Sequence, residues 1–248
     1  MKKMVVDTHT HTIASGHAYS TLIENCTEAA KNGMKMIGMT DHGPKMPGTA
    51  GYSYFINFKV IPDVIAGVEV LKGVEANIID YDGTIDLNKR TLNDMDIVIA
   101  SLHDICIRPS SVKDNTNAVI GAMKNHCVDI IGHSGNPSFP IDVDEMLKAA
   151  LEYNVIIEIN NSSLGVSRVG SKANCEIIAE KAAKYGNLIT LGSDSHICYS
   201  IGKLDKAVEL VEKANVSEDK IMNTDPMKLK KYLKEKGKLK NRIDYDEI

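Results

Sequence analysis

The residues with the most evident chemistry are histidines. Asp7-Thr-His9-Thr-His11-Thr12 closes the first apolar run of the chain. On an extended backbone, side chains at i and i+2 point to the same side, so His9 and His11 are placed to share one cation. A lone His-x-His specifies little, but further donors fall in the same kind of place. His17 lies in the loop that follows, His42 in Thr40-Asp41-His42, Glu75 in Gly73-Val-Glu75-Ala, and Asp194 and His196 in Gly192-Ser-Asp194-Ser-His196; His103 and His133 each stand just past an apolar run. Imidazole and carboxylate donors of this kind suit zinc, manganese or iron, and burying them without cations would be costly. The nine side chains exceed what one ion or two tetrahedral ions need, and three tetrahedral ions would take roughly twelve positions. That arithmetic leaves room for a bridging carboxylate and for open positions, which mark a catalytic rather than a structural site.

The elements that must carry these donors alternate regularly. Short apolar runs over 4–7, 36–40, 70–78, 97–101, 129–132, 155–159 and 188–191 are continuous and often β-branched, which predicts buried parallel strands. Amphipathic stretches over 20–32, 117–125, 142–153 and 171–185 predict helices, the first and last ending at Gly33 and Gly186. A final helix opens at Asp225-Pro226 and stops at Gly237. Seven strands with helices between them imply an α/β chain with one barrel-like sheet, its functional groups at the C-terminal strand ends. No Gly/Ser- or Pro-rich linker divides the chain.

Composition narrows the classes. Of 248 residues 43% are hydrophobic and 25% charged, as in an ordinary globular protein. The net charge of −4 offers no general attraction to nucleic acid. The lysines of 228–240 are spaced around an amphipathic helix and followed by Asp244, Asp246 and Glu247, which predicts a solvated face. The N-terminus lacks the apolar core of a signal peptide, and no apolar run is long enough to span a bilayer. Cys26, Cys106, Cys127, Cys175 and Cys198 are scattered without a C-x-x-C pair, which predicts reduced thiols and a cytoplasmic location. His126, near a predicted helix end, reads as structural. Oligomeric state is open, a homo-oligomer included.

Together Asp7-x-His9-x-His11, His17, Thr40-Asp41-His42, Gly73-Val-Glu75, His103, His133 and Ser193-Asp194-Ser-His196 resemble the ligand set of the PHP (polymerase and histidinol phosphatase) superfamily. The chain is similar above all to its YcdX-like phosphatase branch, through His17-Ala-Tyr-Ser-Thr21, Thr40-Asp-His-Gly-Pro44, Gly73-Val-Glu-Ala-Asn77, Glu158-Ile-Asn-Asn-Ser-Ser163 and Leu191-Gly-Ser-Asp-Ser-His196. The resemblance covers essentially the whole chain. It implies a single PHP domain over 1–248, a distorted, TIM-like (β/α)7 barrel of seven parallel strands, and a trinuclear site at its C-terminal rim. It also implies three divalent ions, zinc with manganese or iron as alternatives. One would be held by His9, His11, Glu75 and Asp194, a second by bridging Glu75 with His103 and His133, and a third by His17, His42 and His196. No ligand position is missing. The branch often carries His-Pro-Gly-Asn-Pro where this chain has His133-Ser134-Gly-Asn-Pro137, a change in loop stiffness rather than in a ligand.

The implied activity is hydrolysis of a phosphate monoester on a small metabolite by a metal-activated hydroxide. Arg168 is the candidate phosphate clamp, because a guanidinium matches phosphate geometry. Asp7 and Asp41 stand beside ligands and are expected to orient imidazoles; passing a proton to the leaving oxygen is the alternative role for Asp41. Other readings are a histidinol-phosphate phosphatase, a phosphodiesterase or exonuclease acting on nucleic acid, and a non-catalytic, metal-stabilised interaction domain.

Overall fold

The computed structural model describes residues 2–165, 167–240 and 242. Seven parallel strands form a nearly closed barrel in the order β1 (Val6–Thr10), β2 (Met36–Met39), β4 (Val68–Asn77), β5 (Ile97–Ser101), β6 (Ile130–Ile131), β7 (Ile156–Asn160) and β8 (Ile189–Gly192). A two-residue strand that the hydrophobic pattern misses, β3 (Val64–Ile65), pairs antiparallel with the start of β4. The expected strands are all present within a few residues. The main shift is in β1, which runs on to Thr10, so that His9 lies inside the strand.

Helices cover the outside: α1 (Leu22–Lys31), α2 (Tyr52–Ile56), α3 (Lys89–Asn93), α4 (Val112–Met123), α5 (Val143–Glu152), α6 (Ser171–Tyr185), α7 (Asp205–Lys213) and α8 (Pro226–Glu235). Their ends follow local chemistry. Thr21 and Glu24 form a capping box on α1, Asp142 accepts from Glu145 N at the start of α5, and Asp225 caps α8 ahead of Pro226. Ser111 caps α4 six residues before the periodic pattern begins to show. The short α2 and α3 and the later α7 lack a clear sequence signal.

Two interfaces close the barrel. At the rim β1 and β8 pair through Asp194 N donating to His9 O (2.9 Å) and His11 N to Ser195 O (2.9 Å). Lower down, Asn223 stands in for the missing strand. Its Nδ2 donates to Val6 O (2.8 Å) and Leu191 O (2.7 Å), its Oδ1 accepts from Leu191 N (2.8 Å), and its own carbonyl accepts from Val5 N (2.9 Å). One buried amide thus satisfies backbone groups that an eighth strand would otherwise pair. At the bottom, α8 plugs the barrel: Leu229, Tyr232 and Leu233 pack against Val6, Leu71, Ile99, Ile130 and Ile156 in an inner apolar cluster.

The lysines of this last segment do not form the solvated face expected of them. Lys228 reaches the carbonyls of Glu218 and Ile221, Lys230 pairs with Glu69, and Lys236 and Lys238 approach buried Asp129 (3.8 and 3.5 Å). Only Lys231, Lys234 and Lys240 among them are exposed. Their long stems cross the barrel floor and carry charge to buried and half-buried acceptors. Asp244, Asp246 and Glu247 lie outside the described residues. All five cysteines are free, and no described helix is long and apolar enough to cross a membrane.

Replacing Asn223 by Ala strands buried N–H and C=O groups of two strands, and should lower unfolding free energy by about 3 kcal/mol. Urea denaturation measures this; a loss under about 1 kcal/mol would mean that Asn223 is not what closes the seam.

Candidate metal centre

The C-terminal ends of the strands bring every expected donor to one place. Glu75, from β4, sits at its centre and is wholly buried. His42 Nδ1 lies 2.7 Å from its Oε2, with His9 Nε2 at 3.3 Å and His11 Nε2 at 3.5 Å; His133 Nε2 is 2.8 Å and His103 Nε2 3.3 Å from Oε1. Asp194 Oδ1 stands 3.2 Å from His11 Nε2 and 3.6 Å from His196 Nδ1. His17 completes the outer edge, its Nε2 3.1 Å from that of His196. Burial falls off along the cluster, from His9 and His133 deep inside to the exposed His17 at the mouth. His126 lies in an exposed turn after α4, away from the cluster.

Hydrogen bonds behind the rings fix which nitrogen carries the proton. Ser15 Oγ donates to Asp41 Oδ1 (2.6 Å) and therefore accepts from His11 Nδ1 (3.0 Å). Asn77 Nδ2 donates to Asp86 and to Gly43 O, which turns its oxygen toward His103 Nδ1 (2.8 Å). His9 Nδ1 donates to Glu158 Oε1 (2.7 Å), and His196 Nδ1 to the Asp194 carbonyl (3.0 Å). In these four rings Nε2 is the nitrogen left facing the cluster, the one a metal ligand would use. His9 Nε2 and His11 Nε2 approach to 3.1 Å, so the His-x-His pair does point one way.

Charge is distributed to match. Burial works against the Glu75 carboxylate, but His9, His42 and His103 outweigh it and hold its pKa well below the usual range. Asp194 is likewise held well below by Arg168 and His9 against its burial. Burial would depress His9, yet Glu158, Glu75 and Asp194 raise it well above an ordinary histidine. Burial and the neighbouring His42 push His11 well down, and burial with Arg168 takes His133 to about 4.

The donor set fits divalent metal ions. Buried His42 Nδ1, Glu75 Oε2, His103 Nε2 and Asp194 Oδ1 have no hydrogen-bond partner among the described residues. Such orphaned polar atoms are costly unless something positive meets them. Three overlapping groups offer donor atoms all within 4.8 Å of one another: His9, His11 and Glu75; His42, Glu75 and His103; and His11, His42 and His196. His11 and His42 each belong to two groups, so the donor distances do not divide the ligands quite as the resemblance implies.

The remaining expected residues have distinct positions. Arg168 Nη1 reaches Asp194 Oδ2 (2.9 Å), Ser163 Oγ (3.0 Å) and Ser167 Oγ (3.3 Å), which brings the guanidinium to the edge of the cluster. Asp41 is buried, its oxygens taking Thr12 N, Thr12 Oγ1, Ser15 Oγ and the Tyr54 phenol (2.6–2.8 Å). It faces away from the ring nitrogens and acts on His11 through Ser15. Asp7 does not orient an imidazole. Its Oδ1 accepts from Ser193 N (3.0 Å) and its Oδ2 from Gly202 N (2.9 Å), so it tethers the turn bearing Asp194 and His196.

Glu158, Ser15, Asn77 and Asn160 escaped the sequence reading as site residues. A carboxylate inside the apolar run Ile156-Ile-Glu158-Ile was the available signal for Glu158. Asp194, His133 and Arg168 have φ of 52°, 26° and 48°, left-handed values that strain non-glycine residues. Beneath them, a Cβ on Gly192 would overlap the Glu158 carboxylate and come within 2.7 Å of His9 Cβ. Gly192→Ala should therefore cost about 2 kcal/mol of stability, read from thermal unfolding; an unchanged midpoint would show that the site has slack there.

Comparison with known proteins gives this arrangement a context. The PHP domain family model matches residues 7–216. A probable phosphatase of Thermoanaerobacter sp. (strain X514) is 55% identical over 235 residues, covering 94% of this chain and 96% of the relative. One from Caldanaerobacter subterraneus subsp. tengcongensis is 56% identical over 237 residues, covering 95% and 93%. Among solved structures, histidinol phosphate phosphatase from Lactococcus lactis, complexed with zinc, L-histidinol and phosphate, superposes with a TM-score of 0.57 at 18% identity, covering 86% of this chain and 95% of that one. The putative histidinol phosphatase of Listeria monocytogenes gives 0.59 at 15% identity, covering 82% and 99%. These last two likenesses speak to the fold. With most of its length matched by the family model and by relatives more than half identical, the chain belongs to the PHP domain family.

Proposed function

We propose that this protein is a metal-dependent phosphatase that hydrolyses phosphate monoesters of small metabolites, working as one domain with a trinuclear centre. The observation that carries this reading is the convergence of orphaned, buried donor atoms from Glu75, Asp194, His42 and His103 at the barrel rim. Phosphatase names among relatives about half or more identical over nearly the whole chain support the reaction class. Three overlapping donor groups support three ions, and a zinc-bound phosphatase of the same fold makes zinc the first candidate, with manganese and iron as alternatives.

His9, His11, His17, His42, Glu75, His103, His133, Asp194 and His196 would hold the ions. Divalent ions in such a set supply Lewis acidity, activating water as a nucleophile and neutralising phosphoryl charge. The chain's own groups do the rest. Glu75 places its two oxygens within 3.5 Å of five imidazoles, and would supply carboxylate charge to the ions those rings hold. Arg168 holds positive charge beside Asp194, and its planar fork is suited to phosphoryl oxygens. Asp41 orients His11 through Ser15; with four donors already on its oxygens, passing a proton to the leaving group is the weaker role for it. His17 is exposed and His196 half-buried, which leaves the outer edge of the cluster facing solvent. Histidinol phosphate is the second candidate substrate, favoured by the fold of its phosphatases. An action on nucleic acid has less behind it, since the lysines of 228–240 are largely taken up at the far end of the barrel.

Assays with p-nitrophenyl phosphate, histidinol phosphate, bis-p-nitrophenyl phosphate and single-stranded DNA separate these readings. Monoester turnover should disappear on chelation and return with zinc or manganese, and His9→Ala or Asp194→Ala should lower it by about 100-fold or more. Diester or DNA cleavage without monoester turnover would overturn the proposal, and metal binding without any turnover would favour an interaction domain. Arg168→Lys keeps the charge but loses the fork, and should lower kcat/KM by about 10- to 100-fold; wild-type kinetics would remove Arg168 from the phosphate site.

A further inference from the structure

Glu158 is a buried carboxylate inside the metal cluster that is not itself available as a ligand. It projects from β7, is 2% exposed, and belongs to none of the three donor groups. Both of its oxygens are spent on neighbours. Oε1 accepts from His9 Nδ1 (2.7 Å), while Oε2 accepts from the backbone N–H of His133 (2.8 Å) and from Asn160 Nδ2 (3.2 Å). Asn160 Nδ2 also meets Asp194 Oδ2 (3.3 Å), and Asn160 Oδ1 accepts from Ser163 N (2.9 Å), which fixes how the amide is turned. One carboxylate therefore touches, directly or through a single amide, three candidate ligands delivered by β1, β6 and β8.

Resting on the metal-dependent reading above, we infer that Glu158 is the positioning residue that presets the His9, His133 and Asp194 part of the centre. It keeps a proton of His9 on Nδ1, so that Nε2, which faces Glu75 and His11, is the nitrogen that would bind an ion. It also holds His133 in its left-handed backbone conformation (φ 26°) by binding the N–H of that same residue. No other described group makes either bond. Gly192 leaves the room for this carboxylate, since any Cβ there would overlap it. The role needs two acceptor oxygens at once. A carboxylate supplies them, whereas a carboxamide of the same shape supplies one and turns an N–H toward the other donor.

Glu158→Gln tests this without changing side-chain volume. Metal content per chain is measured by elemental analysis after dialysis against graded chelator, for wild type and variant alike. The variant should lose part of its metal at about 10- to 100-fold lower chelator strength than wild type, while the remainder is retained as in wild type. In proton NMR of the wild type, a far-downfield imidazole N–H from His9 should be present; it should vanish in the variant. With metal in excess, kcat should recover to within a few-fold at unchanged KM. Wild-type metal retention in folded Glu158→Gln, or parallel loss of all metal together with thermal stability, would overturn the positioning role. Absence of metal from the wild type would instead overturn the metal-dependent function on which it rests. Should Glu158→Gln not fold, Asn160→Ala carries the test, since it keeps the carboxylate but cuts its link to Asp194. Loss of the same fraction of metal at about tenfold lower chelator strength supports the role, and unchanged retention overturns it.

Discussion

A carboxylate buried among imidazoles needs positive charge close by, and much of this structure is arranged around that need. Glu75 has no exposed surface and five ring nitrogens within 3.5 Å. Taking a carboxylate out of water costs several kcal/mol even after relaxation, and more where its lone pairs stay unmatched. Protonated imidazoles offset part of that cost, but burial, with His42 beside His11 and Arg168 beside His133, holds the pKa of those two rings down. Divalent ions would satisfy both sides at once, giving the carboxylates charge and the neutral rings an acceptor for their lone pairs.

The fold keeps this costly cluster apart from its sources of stability. The lower barrel is apolar and plugged by α8, with Asn223 closing the seam and Lys236 and Lys238 reaching Asp129. The upper rim holds Asp194, His133 and Arg168 in left-handed backbone conformations, among buried atoms without partners. Strain of this kind persists only where the surroundings over-determine it. Here they do so through bonds from a second layer: Asp7 to the turn after β8, Glu158 to the turn after β6, and Asp41 through Ser15 to His11.

That second layer also explains why the site can be assembled from nine side chains on separate segments. Four of the seven rings, those of His9, His11, His103 and His196, are turned by a particular acceptor: Glu158, Ser15, Asn77 and the Asp194 carbonyl. Those acceptors are in turn held by Asp41, Asp86, Asn160 and backbone groups. Preorganisation of this sort is what holds the ring nitrogens and carboxylate oxygens a few ångströms apart and turned toward one another.

The amino-acid sequence by itself determined the seven parallel strands, the N-cap of α8, the glycine stops after α1 and α6, and the donors gathered at the rim. It could do so because these depend on local periodicity and on residue type at strand ends. His9 and His11 were legible because a two-residue spacing on an extended chain has one geometric outcome. Only the tertiary structure decided what each polar group meets. Asp7 and Asp41 look equivalent in the sequence, yet one binds backbone N–H groups and the other a hydroxyl relay, because their neighbours come from different strands. The lysines before the C-terminus look solvated on a helical wheel and are drawn inward by Asp129 and Glu69, more than a hundred residues away in sequence. Glu158 likewise became visible as a hub only when β1, β6 and β8 were placed beside it. Hydrogen bonds and ion pairs depend on distances across the fold, and spacing along the chain carries no record of them.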